Sequence, residues 1–267
     1  MVNDCQAALD AAFDAAAPTG TDRAVCMKDD RLLLAVSGND IRFPTVREIG
    51  GADFRLFRLG DVGYSAGKAE EFGDYRYVSP AMLRKAAPKE AAFAGVTALH
   101  LLRWYRDHRY CGRCGRETRR SKTERALVCD CGNTVYPAIC PAVIVGITDG
   151  RRICLTKYNR PNAGFALVAG YNEIGETLED TVKREALEET GLNVTDIRYY
   201  KSQPWGLSGS VLAGFFCTAT NPEAIAADGE ELKEARWFRP EEIDFSDDGF
   251  SLTRHMIEAF RTGQAPA

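Results

Sequence analysis

Residues 170–192 read GYNEIGETLEDTVKREALEETGL, and this stretch decides how the rest of the chain is understood. A helix is expected over 178–190, stopped by Gly191, a residue that ends helices at little cost because it tolerates a left-handed backbone. Positions four apart share a helix face, so Glu185 and Glu189 project together with Glu188 beside them. Carboxylates gathered on one spot repel one another unless a cation sits between them. Mg²⁺ or Mn²⁺ suits such oxygen ligands and keeps room for water and phosphate in its shell. Arg184 lies four residues before Glu188 and is placed to hold a carboxylate. Gly170 and Gly175 punctuate the approach to the helix, where backbone can come close to a ligand. A solvated acidic helix face is the ordinary meaning of such a charge run; the glycine and arginine spacing argues for more.

Working outward, strands are expected at 138–147 and 152–158 around the turn Asp149-Gly150, then at 194–201, 210–218 and 235–239, with a closing helix over 252–262. No regular βαβα alternation emerges, so the fold class is α+β with a mixed sheet. Upstream, an alanine-rich helix is expected over 6–17, ended by Pro18-Thr19-Gly20, followed by strands at 31–37 and 54–59. Apolar residues near a 3.6-residue period then run from 80 to 107, with Pro88 allowing either one kinked helix or two. Nothing in this first part carries a chemical motif. Three segments are expected: an N-terminal α+β domain (1–108), a cysteine cluster (109–136) and the domain holding the glutamate segment (137–267).

Nine cysteines are present. Cys111 and Cys114 form one close pair, Cys129 and Cys131 a second, with 14 residues between the pairs. Two such knuckles suit tetrahedral Zn²⁺ in a closed, structural Cys₄ site, which would staple a segment too small to hold its own core. The second pair is one residue tighter than the usual ribbon spacing. Cys5, Cys26, Cys140, Cys154 and Cys217 stand apart and read as small buried apolar residues; an odd total also argues against a disulfide framework.

The bulk numbers exclude rather than assign. A net charge of −4 gives no general reason to expect a nucleic-acid surface, and mean hydropathy is −0.27. The longest nearly apolar run, 137–147, is shorter than the roughly 20 residues that span a bilayer. The N-terminus lacks the basic and apolar pattern of a secretory signal, so a cytoplasmic location without membrane association is expected.

The glutamate segment resembles the Nudix box: Gly170, five residues, Glu176, seven residues, Arg184-Glu185, an aliphatic, one residue, Glu188-Glu189, one residue, Gly191 and Leu192. Only Ala186, where a larger aliphatic is usual, departs mildly. A Cys₄ ribbon just before such a domain, followed by Ser202-Gln203-Pro204-Trp205, is similar to the NADH pyrophosphatase branch of the Nudix hydrolases. The resemblance covers about residues 98–262 and is weak before that. It implies a Nudix α/β/α sandwich with a mixed sheet, behind a zinc ribbon and an N-terminal α+β domain. It implies Mg²⁺- or Mn²⁺-dependent hydrolysis of the diphosphate of NADH or NAD⁺ to nicotinamide mononucleotide and AMP, by a homodimer, with NAD-capped RNA as a further substrate.

By the same resemblance, Glu185, Glu189 and Glu231 hold the catalytic metal together with the backbone carbonyl of Ala169. Glu188 supports that shell or acts as base, and Arg184 and Glu176 complete the catalytic set. Glu234 rivals Glu231 as the downstream acid. Tyr136, Tyr171, Gln203, Pro204, Trp205 and Ser210 are the substrate-binding positions, with Tyr171 stacking on a base across the dimer. One departure stands out: the branch follows Ser-Gln-Pro-Trp with Pro-Phe-Pro, one residue and Ser, whereas Gly206-Leu207-Ser208-Gly209-Ser210 follows here. Losing two φ-locked prolines implies a more pliable loop and a less selective reading of nicotinamide. The alternatives are a Nudix hydrolase of another nucleoside diphosphate derivative (ADP-ribose, FAD or a diadenosine polyphosphate) and a ligand-sensing or RNA-associated protein without turnover; the intact glutamate set argues against the latter.

Overall fold

The computed structural model describes residues 1–161 and 163–266, which divide into two compact units. One holds Val2–Ile139 and Gly206–Gly209; the other holds Met1, Cys140–Trp205 and the chain from Ser210 onward.

In the first unit, strands β1 (Leu9–Asp10), β2 (Arg23–Lys28), β3 (Arg31–Ser37), β4 (Asp40–Arg42), β5 (Phe54–Leu59), β6 (Val62–Gly67) and β7 (Tyr75–Val78) form one sheet in the order β1-β5-β6-β2-β3-β4, with β7 also on β3. β2 and β6 run parallel and the other pairs antiparallel. A 3-10 turn over Pro80–Lys85 precedes helix α1 (Lys89–Asp107), so the periodic stretch is two helical pieces meeting before Pro88. Short strands β8 (Arg119–Arg120), β9 (Leu127–Val128) and β10 (Thr134–Val135) make the three-stranded ribbon that carries the cysteine pairs.

The expected helix over 6–17 does not form. Leu9–Asp10 pairs with β5 instead. Beyond it the side chains of Asp10 and Asp14 accept from Ala12 N and Ala16 N at 3.0 and 2.8 Å. Such local side-chain bonds compete with the helical ladder, and this exposed stretch offers no apolar stripe to offset them.

The second unit is built on β11 (Cys140–Thr148). It pairs in parallel with β15 (Ser210–Ala219) on one side, and on the other with β12 (Ile153–Tyr158) and β13 (Val168–Tyr171). β14 (Val194–Trp205) forms one edge and β16 (Leu232–Phe238) the other, giving a mixed sheet. Alternation along β11 sends Val143, Val145 and Ile147 to one face, packed with Val182 and Ala186 of α2 (Leu178–Thr190). Ile144 points to the other face, with Leu252, Met256 and Ile257 of α3 (Leu252–Arg261). A period of two along a strand that is apolar on both faces thus yields a helix on each side. Each of these fully buried aliphatic side chains contributes about 1.5–3 kcal/mol.

Of the isolated cysteines, Cys26, Cys154 and Cys217 are buried, whereas Cys5 is half-buried and Cys140 exposed. Cys140 opens β11 ahead of its buried run, which is why the apolar neighbourhood in sequence misled.

Candidate active site and metal centres

Helix α2 is set by local chemistry. Thr177 caps it, its hydroxyl accepting from Asp180 N at 3.1 Å, and Gly191 ends it at φ +70°. Arg184 organises the loop before the helix. Its Nε donates to Glu176 Oε1 at 2.7 Å and its Nη2 to Glu176 Oε2 at 2.9 Å. Nη2 also reaches the Tyr171 carbonyl at 2.9 Å, and Nη1 donates to Glu185 Oε1 at 2.7 Å and Glu188 Oε2 at 3.2 Å. Glu176 takes further bonds from Thr181 Oγ1 and Glu173 N. The guanidinium first, and these donors after it, hold the Glu176 carboxyl down at about 2. Glu176 therefore anchors Arg184 as a permanent anion, and Arg184 aims Glu185.

Strand β13 lies against that carboxylate. A Cβ placed on Gly170 would come within 1.9 Å of Glu185 Cδ and Oε1, so any larger residue there displaces the Glu185 carboxylate or the strand, next to Ala169. Burial pushes the Glu185 carboxyl up. Glu189 goes further: it is 4% exposed, its Oε2 is buried without a hydrogen-bond partner among the described residues, and its carboxyl is pushed up to about 8. Desolvation is the main cause, and the charges of Glu185, Glu231, Asp228 and Glu188 add to it. Glu231 thus lies near enough for its charge to act on Glu189. Glu234 instead pairs with Arg236 at 3.3 Å. A buried carboxylate oxygen with no donor among the described residues, under the charges of several acids, lacks a countercharge, and carboxylate oxygens are the donors that suit a hard divalent cation.

Two members of this neighbourhood carried no signal in sequence. Asp228 accepts from Glu230 N, Glu231 N and Leu232 N at 3.1, 3.4 and 2.8 Å, shaping the turn that presents Glu231. Tyr158 is held largely out of water, and burial followed by the charges of Glu189 and Glu231 pushes its phenol up to about 12. The only available cue was the Asp228-Gly229 pair, an ordinary turn signal.

Among the substrate positions, Tyr171 is 53% exposed and accepts from Ser210 Oγ at 3.4 Å; Ser210 is itself paired with Trp205 across the β14–β15 hairpin. Trp205 meets Phe250 edge-on at 5.4 Å, and Pro204 is exposed. Gln203 is fully buried: its Nε2 donates to Phe250 O and its Oε1 accepts from Leu252 N, both at 2.7 Å. Its amide clamps the segment that leads into α3, so it positions Trp205 and Phe250 rather than facing solvent. Tyr136 lies in the first unit, 56% exposed, its hydroxyl donating to Glu124 at 3.2 Å.

The loop expected to be pliable is held down within the first unit. Arg103 Nη1 donates to Leu207 O at 2.8 Å, and a Cβ on Gly206 would stand 2.1 Å from Val96 O. Glycine replaces proline there because the backbone lies directly on α1, which fixes the loop by contact instead of by ring closure.

In the ribbon, Cys111 Sγ lies 3.7 Å from Cys131 Sγ, and Cys114 Sγ 3.5 Å from Cys129 Sγ; all four sulfurs are within 4.8 Å of one another. Tetrahedral Zn–S bonds of about 2.3 Å require sulfur separations of about 3.8 Å, so the group fits a structural zinc. Arg113 N and Asn133 Nδ2 reach Cys111 Sγ at 3.4 and 3.5 Å, and Arg116 lowers the Cys114 thiol to about 6. The purified protein is expected to carry about one zinc, and stripping it with a chelator should lower the Tm sharply. A zinc content near zero in folded protein would contradict this assignment.

Comparison with known proteins follows the same division. A model of the NUDIX domain matches residues 139–260, and one of the NADH pyrophosphatase zinc ribbon domain matches 106–136. Proteins called NAD-capped RNA hydrolase NudC are similar. The one from Pectobacterium carotovorum is 40% identical over 162 residues, covering 60% of this chain and 62% of the relative. That of Mannheimia succiniciproducens is 37% identical, covering 60% and 64%. The chain thus matches less than two thirds of the length of these relatives. A crystal structure of a NUDIX hydrolase from Nitrosomonas europaea superposes with a TM-score of 0.51 at 23% identity, over 58% of this chain and 92% of that one. The likeness supports the fold.

Proposed function

We propose that this chain, which carries a Nudix domain behind an NADH pyrophosphatase zinc ribbon, hydrolyses the diphosphate of NADH or NAD⁺ to nicotinamide mononucleotide and AMP, and removes NAD caps from RNA. The observation that carries this is the buried Glu189 Oε2, without a hydrogen-bond partner among the described residues, under the charges of Glu185 and Glu231. Glu185, Glu189 and Glu231, with the Ala169 carbonyl, would hold Mg²⁺ or Mn²⁺. Bound there, a divalent cation would supply the charge that neutralises diphosphate oxygens and acidifies the attacking water. Arg184, locked by Glu176, keeps Glu185 pointed inward. Glu188, on the exposed side of α2, accepts the water proton while the new P–O bond forms and the bridging P–O bond breaks. Tyr171, on the strand that carries Ala169, stacks on a base, and Trp205 and Ser210 flank the other end of the dinucleotide. The enzyme acts as a homodimer in the cytoplasm; no helix among the described residues is long and apolar enough to cross a membrane. The division into 1–108, 109–136 and 137–267 stays the working description of its domains.

The substrate is tested by kcat/KM for NADH, NAD⁺, NADPH, ADP-ribose, FAD, diadenosine tetraphosphate and NAD-capped RNA, with Mg²⁺ and with Mn²⁺. NADH or the capped RNA is expected to lead by at least about tenfold, roughly the discrimination of one or two well-placed contacts. ADP-ribose or FAD in the lead would overturn the nicotinamide reading and leave the cleavage chemistry standing.

A further inference from the structure

The acidic whole hides a basic part. Residues 109–136 carry seven Lys/Arg against three Asp/Glu, a net +4 in a chain of net −4, so the remainder carries −8. Zinc with four thiolates contributes −2 at the knuckles, where Arg116 faces Cys114. Four others, Arg119, Arg120, Lys122 and Arg125, lie on the β8–β9 hairpin, whose strands pair Arg120 with Leu127 and Arg119 with Val128. That hairpin lines a cavity of about 620 Å³ together with Phe54 and Tyr105, a size ordinary for a small-ligand pocket.

Three of its cations lack a carboxylate partner among the described residues. The Arg120 guanidinium lies on the Phe54 ring, 3.9 Å from its centroid. Arg125 donates to the neutral carbonyls of Ala11, Ala12 and Leu56 and also bonds the Tyr105 hydroxyl, so none of these partners carries a charge that offsets its own. Lys122 is exposed at the turn. Of the three carboxylates that line the cavity, Asp14 pairs with Arg55, Glu124 accepts from Tyr136, and Asp53 is exposed at its edge. Phe54 also meets Tyr105 edge-on at 4.8 Å, which stiffens the platform under Arg120.

We propose that this hairpin cavity is a docking surface for single-stranded RNA, with phosphates on Lys122 and Arg125 and an unstacked base on the outer face of the Arg120 guanidinium. The proposal rests on the capped-RNA part of the function above and names the surface that takes the RNA body. Guanidinium planes and aromatic rings stack unpaired bases, and a basic groove tracks the backbone between them. A duplex hides its base faces and would leave the Arg120–Phe54 platform unused.

The test uses full-length, zinc-loaded protein and an uncapped, labelled oligouridine of about 20 nucleotides, its binding followed by anisotropy across a salt series. R120E/K122E is expected to raise the dissociation constant at least about tenfold and to flatten the log–log salt slope by about 0.7 per lost phosphate contact. Its zinc content and NADH hydrolysis should match wild type. If the double variant loses zinc, Lys122→Glu alone is expected to show a smaller loss of the same sign. Absence of wild-type binding, equal binding by the variants, or a loss seen only on phosphatidylserine vesicles would overturn the proposal. A wild type that binds the oligonucleotide through these residues yet cleaves neither NADH nor capped RNA would sink the catalytic reading and leave the docking surface intact.

Discussion

Glu189→Gln should lower kcat/KM for NADH by on the order of 10³-fold or more while making the metal-free protein more stable at pH 8. The first effect follows from removing a charge that places the cation on the scissile diphosphate, a loss at least as large as that of one preorganised donor. The second follows from linkage. Glu189 titrates near its ordinary 4.5 when unfolded and at about 8 when folded in the absence of metal. Between those values the folded protein holds a proton that the unfolded chain has released. Stability from this group is therefore fully present below about pH 4.5, falls as pH rises through 8, and levels off above. At 1.36 kcal/mol per unit the loss is at most about 4–5 kcal/mol. The neutral, isosteric amide removes that loss. Thermal melts in a chelator from pH 5 to 8.5 should show the wild-type Tm falling and the Glu189→Gln Tm nearly flat, and Mg²⁺ should restore only the wild type. Parallel profiles for the two proteins would show that Glu189 is not the buried, uncompensated acid described here.

Gly170→Ala is expected to be nearly as damaging to catalysis although it removes no functional group. The added methyl would stand 1.9 Å from Glu185 Cδ, so either β13 or the Glu185 side chain must move. Glu185 is also the carboxylate that Arg184 aims, and a displacement of about 1 Å in a positioned group costs about 10²-fold in rate. Overpacking adds about 1–3 kcal/mol of destabilisation. Steady-state kinetics with Mg²⁺ titration should show a lowered kcat and weaker metal activation. Wild-type kcat/KM in this variant would mean that the close approach of β13 to Glu185 does not matter to the chemistry.

What could be read from sequence was what is determined locally. Helix α2 runs over the expected residues because its start and stop are encoded by Thr177 and Gly191, each acting on its own neighbours. The two faces of β11 were visible as one apolar run, although only the packed helices reveal which residue serves which face. Features that depend on distant pairing were hidden. β14 continues past 201 to Trp205, through a proline that normally ends a strand, because it is an edge strand and needs no N–H there. β13 is four residues long and exists through its pairing with β11. The 6–17 helix failed because Asp10 and Asp14 bond their own backbone. At the site, the spacing of Glu176, Arg184, Glu185 and Glu189 showed the cluster, but not that Glu176 serves Arg184, that Gln203 is consumed as a clamp, or that Asp228 shapes the turn to Glu231. Charge was misleading in the same way: a chain-wide −4 said nothing about a ribbon of the opposite sign.

The central claim is that carboxylates on and around α2 hold a divalent cation that cleaves a dinucleotide diphosphate. Its most direct test is chromatographic analysis of NADH incubated with the wild-type protein in Mn²⁺ or Mg²⁺ and, in parallel, in EDTA. The account predicts equal amounts of reduced nicotinamide mononucleotide and AMP with metal, and intact NADH in EDTA. Cleavage undiminished by EDTA, or none with either metal, would contradict it.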